Sequence, residues 1–290
     1  MASLKDIQRK IAAVKKTQQI TRAMNMVAAS KLRGAQTRME NFRPYAGKFA
    51  EVMGSLAGRI EGDIHPFLVQ PEEVKKIELL AFSSDRGLCG SFNMNVIDAV
   101  SKFEARKRSE GVEVTLTLVG RKLRDFFRRR NVNLRKAYTD VMTSFDYAIS
   151  AAISREAMDI FLQGEVDEVW AYYTHFEGMG RQKPQLMRVL PIAPAENKEG
   201  DLSGMEYLCE PSLESMMIDL LPKSVEIQIY NFMLETSTSE HSARMAAMDN
   251  ATKNCKEMIT DLTLAFNKAR QAAITTELMD IVGGAEALRS

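Results

Sequence analysis

The chain has 290 residues, of which 45% are hydrophobic and 27% charged; this is typical of a folded protein and excludes a chain disordered throughout. No uncharged apolar stretch reaches the roughly 18–20 residues of a membrane-spanning helix, and no secretory signal is apparent at the N-terminus. The net charge of +1 conceals a separation, because residues 1–50 carry +9 and residues 206–290 carry −6. The basic segment has no aromatic residue before Phe42, so we expect its charge to be met by the acidic C-terminal segment or by an acidic protein, and not by nucleic acid.

A heptad pattern predicts a long N-terminal coiled-coil helix over residues 1–60. Pro44 lies inside this pattern and predicts a kink. The seam positions are Leu4, Ile7, Ile11, Val14, Gln18, Thr21, Asn25, Ala28, Leu32, Ala35, Met39, Phe42, Ala46, Phe49, Met53, Leu56 and Ile60. The polar residues at 18, 21 and 25 are expected to fix the register of two paired helices, the alternative being a second partner on that face.

Residues 75–195 show the pattern of strands alternating with helices. The predicted strands are 77–82, 112–119, 166–176 and 185–192, and the predicted helices are 92–108, 121–130 and 144–163. This order predicts a Rossmann-like, three-layer α/β domain with a mainly parallel sheet, whose last two strands form a hairpin.

Residues 206–290 predict a second coiled-coil helix, because no proline or glycine interrupts the stretch from Val225 to Ile281. Its predicted seam is Ile227, Tyr230, Leu234, Met248, Ala251, Cys255, Met258, Leu262, Ala265, Ala269, Ala272, Thr276 and Met279. A second apolar stripe, which predicts that the tip enters a cavity made by other chains, is Ile274, Leu278, Ile281, Ala285 and Leu288. The expected fold is therefore α/β, with a long antiparallel coiled coil of both terminal helices and the sheet domain inserted between them.

Candidate chemistry is confined to residues 83–91, which follow a strand and precede a helix, as phosphate loops and nucleophiles do in α/β enzymes. The segment matches neither nucleotide-binding glycine pattern. Cys89 is a candidate nucleophile of lowered pKa, but we expect a tight turn with Ser91 as N-cap. His175 and His241 lack metal-ligand spacing, as do the three cysteines, so the sequence predicts no catalytic, cofactor or metal site and a reduced, cytosolic chain without disulfides.

Several motifs resemble the gamma-subunit family of F-type ATP synthases. Ile20–Arg33 resembles the family's N-terminal helix, Ser84–Gly90 its first strand-to-helix turn, and Glu240–Met245 with Ala269–Thr275 its C-terminal helix. The family signature I-T-x-E-x-x-[DE]-x-x-x-G-A is met by Ile274, Thr275, Glu277, Asp280, Gly284 and Ala285. The resemblance covers essentially the whole chain, and the redox-regulatory cysteine insert of the chloroplast type is not seen. No transit peptide is apparent, which favours a bacterial protein.

The resemblance implies a non-catalytic rotor subunit of the central stalk, which couples transmembrane ion flow to ATP synthesis on beta subunits. It implies alpha, beta, epsilon and the c-subunit ring as partners, no cofactor, and a peripheral place at the cytoplasmic face of the bacterial membrane. The positions that match beta-subunit contacts are Arg22, Met24, Lys31, Arg270, Gln271, Thr275 and Glu277. Those that match contacts with the c-ring and epsilon are Tyr207, Leu208 and Glu210, beside Cys209, where an aromatic residue is commoner in the family.

The residues leave two other functions open. One is a coiled-coil adaptor that binds acidic partners without rotating. The other is an α/β enzyme that acts through Cys89 on a phosphorylated or thiol-reactive substrate.

Overall fold

The computed structural model describes residues 4–57, 65–192 and 212–287. In chain order the elements are helix α1 (Leu4–Ala57), a 3-10 turn (Pro66–Leu68), β1 (Lys76–Phe82), α2 (Phe92–Ser109), β2 (Glu113–Val119), α3 (Arg121–Phe127), β3 (Asn133–Tyr138), α4 (Tyr147–Leu162), β4 (Glu168–Gly178), β5 (Arg181–Leu190) and α5 (Leu213–Ala287). The chain divides into two compact units. We call Met1–Ala28 with Met245–Ser290 the coiled-coil unit, and Ala29–Arg244 the sheet unit.

The coiled-coil unit pairs the first part of α1 with the last part of α5. Asn25 Nδ2 donates to the Met245 carbonyl at 2.8 Å, and Thr252 Oγ1 donates to Thr21 Oγ1 at 2.8 Å. Since the partner number falls as the α1 number rises, the two helices run antiparallel. These two bonds across the seam agree with the register role expected for the polar seam residues.

The seam predicted for α1 is confirmed, because each of its described positions is buried or half-buried and most residues between them are exposed. Its last position, Ile60, lies outside the described residues. The seam predicted for α5 is only partly right in its second half. The predicted positions Cys255, Leu262 and Ala269 are half-buried, but the positions between them are filled by Ile259, Phe266 and Ala273. The predicted positions Met258, Ala265, Ala272, Thr276 and Met279 are exposed. Apolar or small residues stand side by side at these positions, so spacing alone did not choose between neighbours.

The sheet unit holds a five-stranded sheet in the order β3-β2-β1-β4-β5. The first four strands are parallel, and β5 closes an antiparallel hairpin with β4, as predicted. Strand β3 was not predicted. It is an edge strand whose first four residues are exposed, so it lacks the apolar run by which buried strands are recognised.

Two apolar cores cover the two faces of the sheet, which confirms the three-layer arrangement. Ile77, Leu79 and Ala81 of β1 face α2 and α3. Leu80 and Phe82 point the other way, into a core shared with α4 and with the parts of α1 and α5 that belong to this unit. Helix α1 continues through Pro44, and α3 ends at Phe127, earlier than predicted.

Candidate functional site

A run of polar residues forms one of the most deeply buried stretches of α5. All eight residues from Glu235 to Ser242 are buried, and Arg244 is 9% exposed. We call Glu235–Ser242 with Arg244 the polar belt. Polar and charged side chains are rarely buried in this density unless each is hydrogen-bonded, so the belt marks a place with a specific structural or functional demand.

The belt is bound to the backbone of β4. The Thr174 amide donates to Thr236 Oγ1 at 3.3 Å, and Ser239 Oγ donates to the Thr174 carbonyl at 3.2 Å. Strand β4 pairs with β1 only as far as Tyr172, so on that side Thr174 has no strand neighbour. Two hydroxyl groups of α5 therefore satisfy backbone groups that the sheet leaves free.

The end of the β4–β5 hairpin makes further polar contacts with the belt. His175 Nδ1 is hydrogen-bonded to the Glu235 carboxylate. Ser242 Oγ donates to the Met179 carbonyl at 3.0 Å and accepts a bond from Gln182 Nε2 at 3.2 Å. Contacts thus extend from one end of the belt to the other.

Arg244 connects the belt to the loop between β1 and α2. Its Nη2 donates to the Gly87 carbonyl at 3.2 Å and to the Arg86 carbonyl at 3.4 Å. Its Nη1 donates to Glu240 Oε1 at 2.7 Å, an ion pair in which both side chains are largely buried. The guanidinium fork therefore ties the helix to loop carbonyls at a fixed angle.

Asp85 holds that loop in shape. Its Oδ1 accepts the amides of Arg121 at 3.0 Å and Asp140 at 2.9 Å, and its Oδ2 accepts the amide of Met142 at 2.9 Å. A buried carboxylate with three backbone donors is well compensated, so it joins the ends of three neighbouring segments.

Cys89 is not a reactive thiol. It is 1% exposed, and burial raises the pKa of its thiol, although the Arg244 charge and a hydrogen bond with Ser84 act the other way. Asn93 Nδ2 contacts its sulfur at 3.1 Å. Because nucleophilic cysteines are accessible and have a lowered pKa, the hypothesis of an enzyme acting through Cys89 is wrong. Ser91 stands at the N-cap position as expected, but its side chain makes no capping bond.

Two ionisable residues of the belt have shifted pKa values. Burial raises the pKa of Glu240, against the effect of Arg244. Burial, together with the charges of Arg244, Lys31 and Arg38, lowers the pKa of His241 to about 4, so its imidazole is neutral at pH 7. Its Nδ1 lies 3.5 Å from Arg244 Nη1. The two residues therefore belong to a structural network of hydrogen bonds around Arg244 and are not arranged as an acid–base pair.

The residues matched to partner contacts lie elsewhere. Arg22 and Lys31 are exposed on α1, and Met24 is half-buried. Arg270, Gln271, Thr275 and Glu277 are all exposed on α5. Tyr207, Leu208 and Glu210, with Cys209, lie outside the described residues. In the sequence, His241 and Arg244 lie in the Glu240–Met245 family motif, which assigns neither of them a structural role. The run of adjacent hydroxyl and charged residues was the signal for the belt.

Within residues 4–57, 65–192 and 212–287, no group of three or more His, Cys, Asp or Glu side chains is placed to hold a metal ion. In the same ranges, no helix combines the length and apolarity that a membrane crossing requires.

Comparison with known proteins identifies the family. The family profile described as ATP synthase matches residues 3–288. The ATP synthase gamma chain of Syntrophobacter fumaroxidans is 55% identical over 291 residues, and that of Nitratidesulfovibrio vulgaris (Miyazaki F) 49% over 292, in both cases over the whole of both chains.

Solved structures agree with this family. A chain of the central stalk/c-ring structure of the Tetrahymena thermophila mitochondrial ATP synthase is similar, with a TM-score of 0.60 and 25% identity over 80% of this chain and 99% of that one. A chain of the Euglena gracilis mitochondrial enzyme has the same fold, with a TM-score of 0.69 and 19% identity over 98% and 94% of the two chains. The full-length matches show that the chain belongs to the ATP synthase gamma chain family.

Proposed function

We propose that this chain couples transmembrane ion flow to ATP synthesis by turning, as an asymmetric shaft, against the beta subunits of an alpha–beta hexamer. As a gamma chain it is the central-stalk rotor subunit of an F-type ATP synthase and is not itself catalytic. The observation that carries the proposal is the apolar tip of α5, where Leu278, Met279 and Ile281 are 57–67% exposed in the chain alone. Such a surface requires cover from other subunits.

The mechanism is differential contact. An antiparallel pair of unlike helices has no threefold symmetry, so three chemically identical beta subunits around it would each meet a different surface. A shaft that binds one conformation better than another shifts the population of each beta subunit toward that conformation. Rotation exchanges the three positions and thereby couples ion flow to nucleotide affinity.

The first set of proposed beta contacts lies on α1. Arg22 and Lys31 are exposed, and in the described part of the chain neither forms a salt bridge. Their charges are therefore available to an acidic loop of beta, with the half-buried Met24 between them in the sequence. Under this assignment, the positive charge of α1 is met by the negative charge of the beta loop.

The second set of proposed beta contacts lies on α5. Arg270, Gln271 and Glu277 are exposed, and Thr275 Oγ1 donates only to the Gln271 carbonyl of its own helix, at 2.9 Å. These polar groups can therefore bind loops of beta when the chain stands at a given angle and release them at another.

The remaining assignments concern the base of the stalk. We propose residues 1–60 and 206–290 as the shaft and 75–195 as the inserted domain that meets epsilon and the c-ring, with Tyr207, Leu208 and Glu210 at that contact. The place of the chain is then peripheral, at the cytoplasmic face of the bacterial membrane, where it is held by the membrane-bound complex.

Reconstitution tests the proposal. The full chain is assembled with the alpha, beta and epsilon subunits of its own organism and with the membrane sector in sealed vesicles. We expect ATP addition to drive ion uptake only when this chain is present. A complex that assembles and hydrolyses ATP but pumps equally with and without the chain would favour the adaptor function, and a chain that never joins the hexamer would contradict the proposal.

A further inference from the structure

Over residues 235–242 the polar belt takes the place of the apolar packing that seats the preceding part of α5 on the sheet, where Phe232 contacts Phe82 and Tyr173. The hydrophobic effect is non-directional, so apolar burial by itself does not specify one rotation angle of a helix. Hydrogen bonds weaken steeply when their geometry is lost, and a buried group left without its partner is strongly unfavourable. A belt of buried hydrogen bonds therefore restricts rotation of the helix more than an apolar interface does.

Three side chains of the belt, those of Thr236, Ser239 and Arg244, bind backbone groups of the sheet unit, which cannot follow a turning helix. Thr236 and Ser239 are bound to the two backbone groups of Thr174, and Arg244 is bound to the carbonyls of Arg86 and Gly87. Two separate parts of the sheet unit thus hold the same helix. Rotation of α5 about its own axis would break both sets of bonds together.

The belt lies at the end of the part of α5 that belongs to the sheet unit. Arg244 is the last residue of the sheet unit on α5, and Met245 is the first of the coiled-coil unit. The belt therefore lies at the point in the sequence where α5 leaves the sheet unit.

We propose that the polar belt is a torsional lock, which fixes the rotation of α5 on the sheet so that torque passes between the helix and the sheet without slip. This inference rests on the proposed rotor function. It assigns Thr236, Ser239 and Arg244 as positioning residues, whose role is to hold an angle and not to contact a partner subunit.

The chain offers a matched control for this lock. Thr238 and Ser237 are buried in the same helix, like Thr236 and Ser239. The Thr238 hydroxyl donates to the Leu234 carbonyl within α5, and Ser237 Oγ has no hydrogen-bond partner. Thr236→Val with Ser239→Ala therefore removes the bonds to the sheet, whereas Thr238→Val with Ser237→Ala makes the same chemical change without touching them.

The test measures coupling in the reconstituted complex in sealed vesicles. We expect the Thr236→Val, Ser239→Ala complex to hydrolyse ATP at a rate near that of the unmodified complex while the ions pumped per ATP fall severalfold. In the same complex, exchange of the Thr174 amide hydrogen should accelerate about two- to tenfold, as expected for loss of one neutral hydrogen bond. Thr236→Ser, which keeps the hydroxyl, and the control pair should both pump normally.

Normal pumping by Thr236→Val, Ser239→Ala, or an equal fall in the control pair, would overturn the lock. If the double variant does not assemble, Thr236→Val and Ser239→Ala are measured singly, and normal pumping by both has the same meaning. Failure of all three variants to assemble would assign the belt to folding and would also overturn the proposal. A failure of the proposed function would appear separately, as absence of pumping by the unmodified chain.

Discussion

Two stretches of the same helix, α5, reverse the usual relation between polarity and burial. Residues 235–242 are all polar and all buried, whereas five large apolar residues near the C-terminal end of the helix are 49–67% exposed: Ile274, Leu278, Met279, Ile281 and Val282. In the first stretch, every polar side chain except that of Ser237 has a directional contact within the chain. The second has no cover within the described chain and is suited to surfaces supplied by other subunits.

This contrast shows that the two stretches of α5 have different roles: the buried belt orients the helix, and the exposed tip is suited to contact other subunits. In the polar belt, hydrogen bonds fix an orientation, and the surrounding apolar core supplies most of the stability. At the tip, few residues of α5 are covered by the chain itself, so different neighbouring subunits can bind different faces of the helix. A shaft needs both properties, at different points along its length.

We expect the largest effect on ion pumping from removing the tip of α5. Deletion of residues 265–290 removes part of the coiled-coil unit only, so the sheet unit should stay folded, and its thermal unfolding should remain at the same temperature. In reconstituted vesicles, ATP-driven pumping should fall to background, because the proposed beta contacts of α5 are gone. Normal pumping by the truncated chain would show that the apolar tip has no role in coupling.

The support of the belt is tested by Asp85→Asn. Replacing the buried carboxylate removes acceptor capacity for three backbone amides, and we expect the free energy of unfolding to fall by about 2–4 kcal/mol. Asp140→Asn is the control, since it makes the same change on an exposed residue whose left-handed backbone (φ 65°) asparagine accepts readily. It removes a surface ion pair with Arg121, which contributes little to stability. Urea unfolding of both full-length variants gives the comparison. Equal stability of the two variants would contradict the role assigned to Asp85.

His241 predicts a dependence of stability on pH. Unfolded histidine takes up a proton below pH 6.5, but in the folded chain His241 does so only near its lowered pKa of about 4. Its contribution is therefore fully present above pH 6.5 and is lost as the pH falls from 6.5 toward 4. Between pH 7 and pH 5, the unmodified chain should lose about 2 kcal/mol more stability than His241→Gln, measured by urea unfolding. Parallel pH profiles of the two chains would exclude a buried neutral histidine.

The smallest effect concerns the register bond of the coiled-coil unit. Asn25→Ala removes the donor to the Met245 carbonyl and should lower stability by about 1 kcal/mol. Asn254→Ala, an exposed asparagine in the α5 part of the same unit, should leave thermal unfolding unchanged or slightly improved, because alanine favours helix. If both variants melt alike, the bond does not contribute to the pairing of the helices.

Much of this fold could be predicted from the sequence. The α1 seam was predictable because one stripe keeps its spacing from Leu4 to Leu56, while most residues between its positions are polar or charged. The parallel order of β1, β2 and β4 follows from the alternation of strands and helices. Strand β3 escaped prediction because an exposed edge strand such as Asn133–Tyr138 needs no apolar pattern, and the α5 seam was misplaced where neighbours such as Met258 and Ile259 are both apolar.

The belt could not be predicted because its meaning depends on distant partners. Hydroxyl groups at 236 and 239 favour no particular structure until β4 extends past β1 and leaves Thr174 without a strand neighbour on that side. Likewise, Asp85 is one acid among many in the sequence, and only the folded chain brings the amides of Arg121, Asp140 and Met142 to it.

The most direct test of the central claim is observation of rotation. The alpha–beta hexamer containing this chain is fixed to a surface, and a bead is attached through Ser109→Cys at the exposed end of α2. On addition of ATP, the bead should turn in one direction through three equivalent dwell positions, one for each beta subunit. A bead that stays still or wanders at random, on a complex that is hydrolysing ATP, would contradict the account.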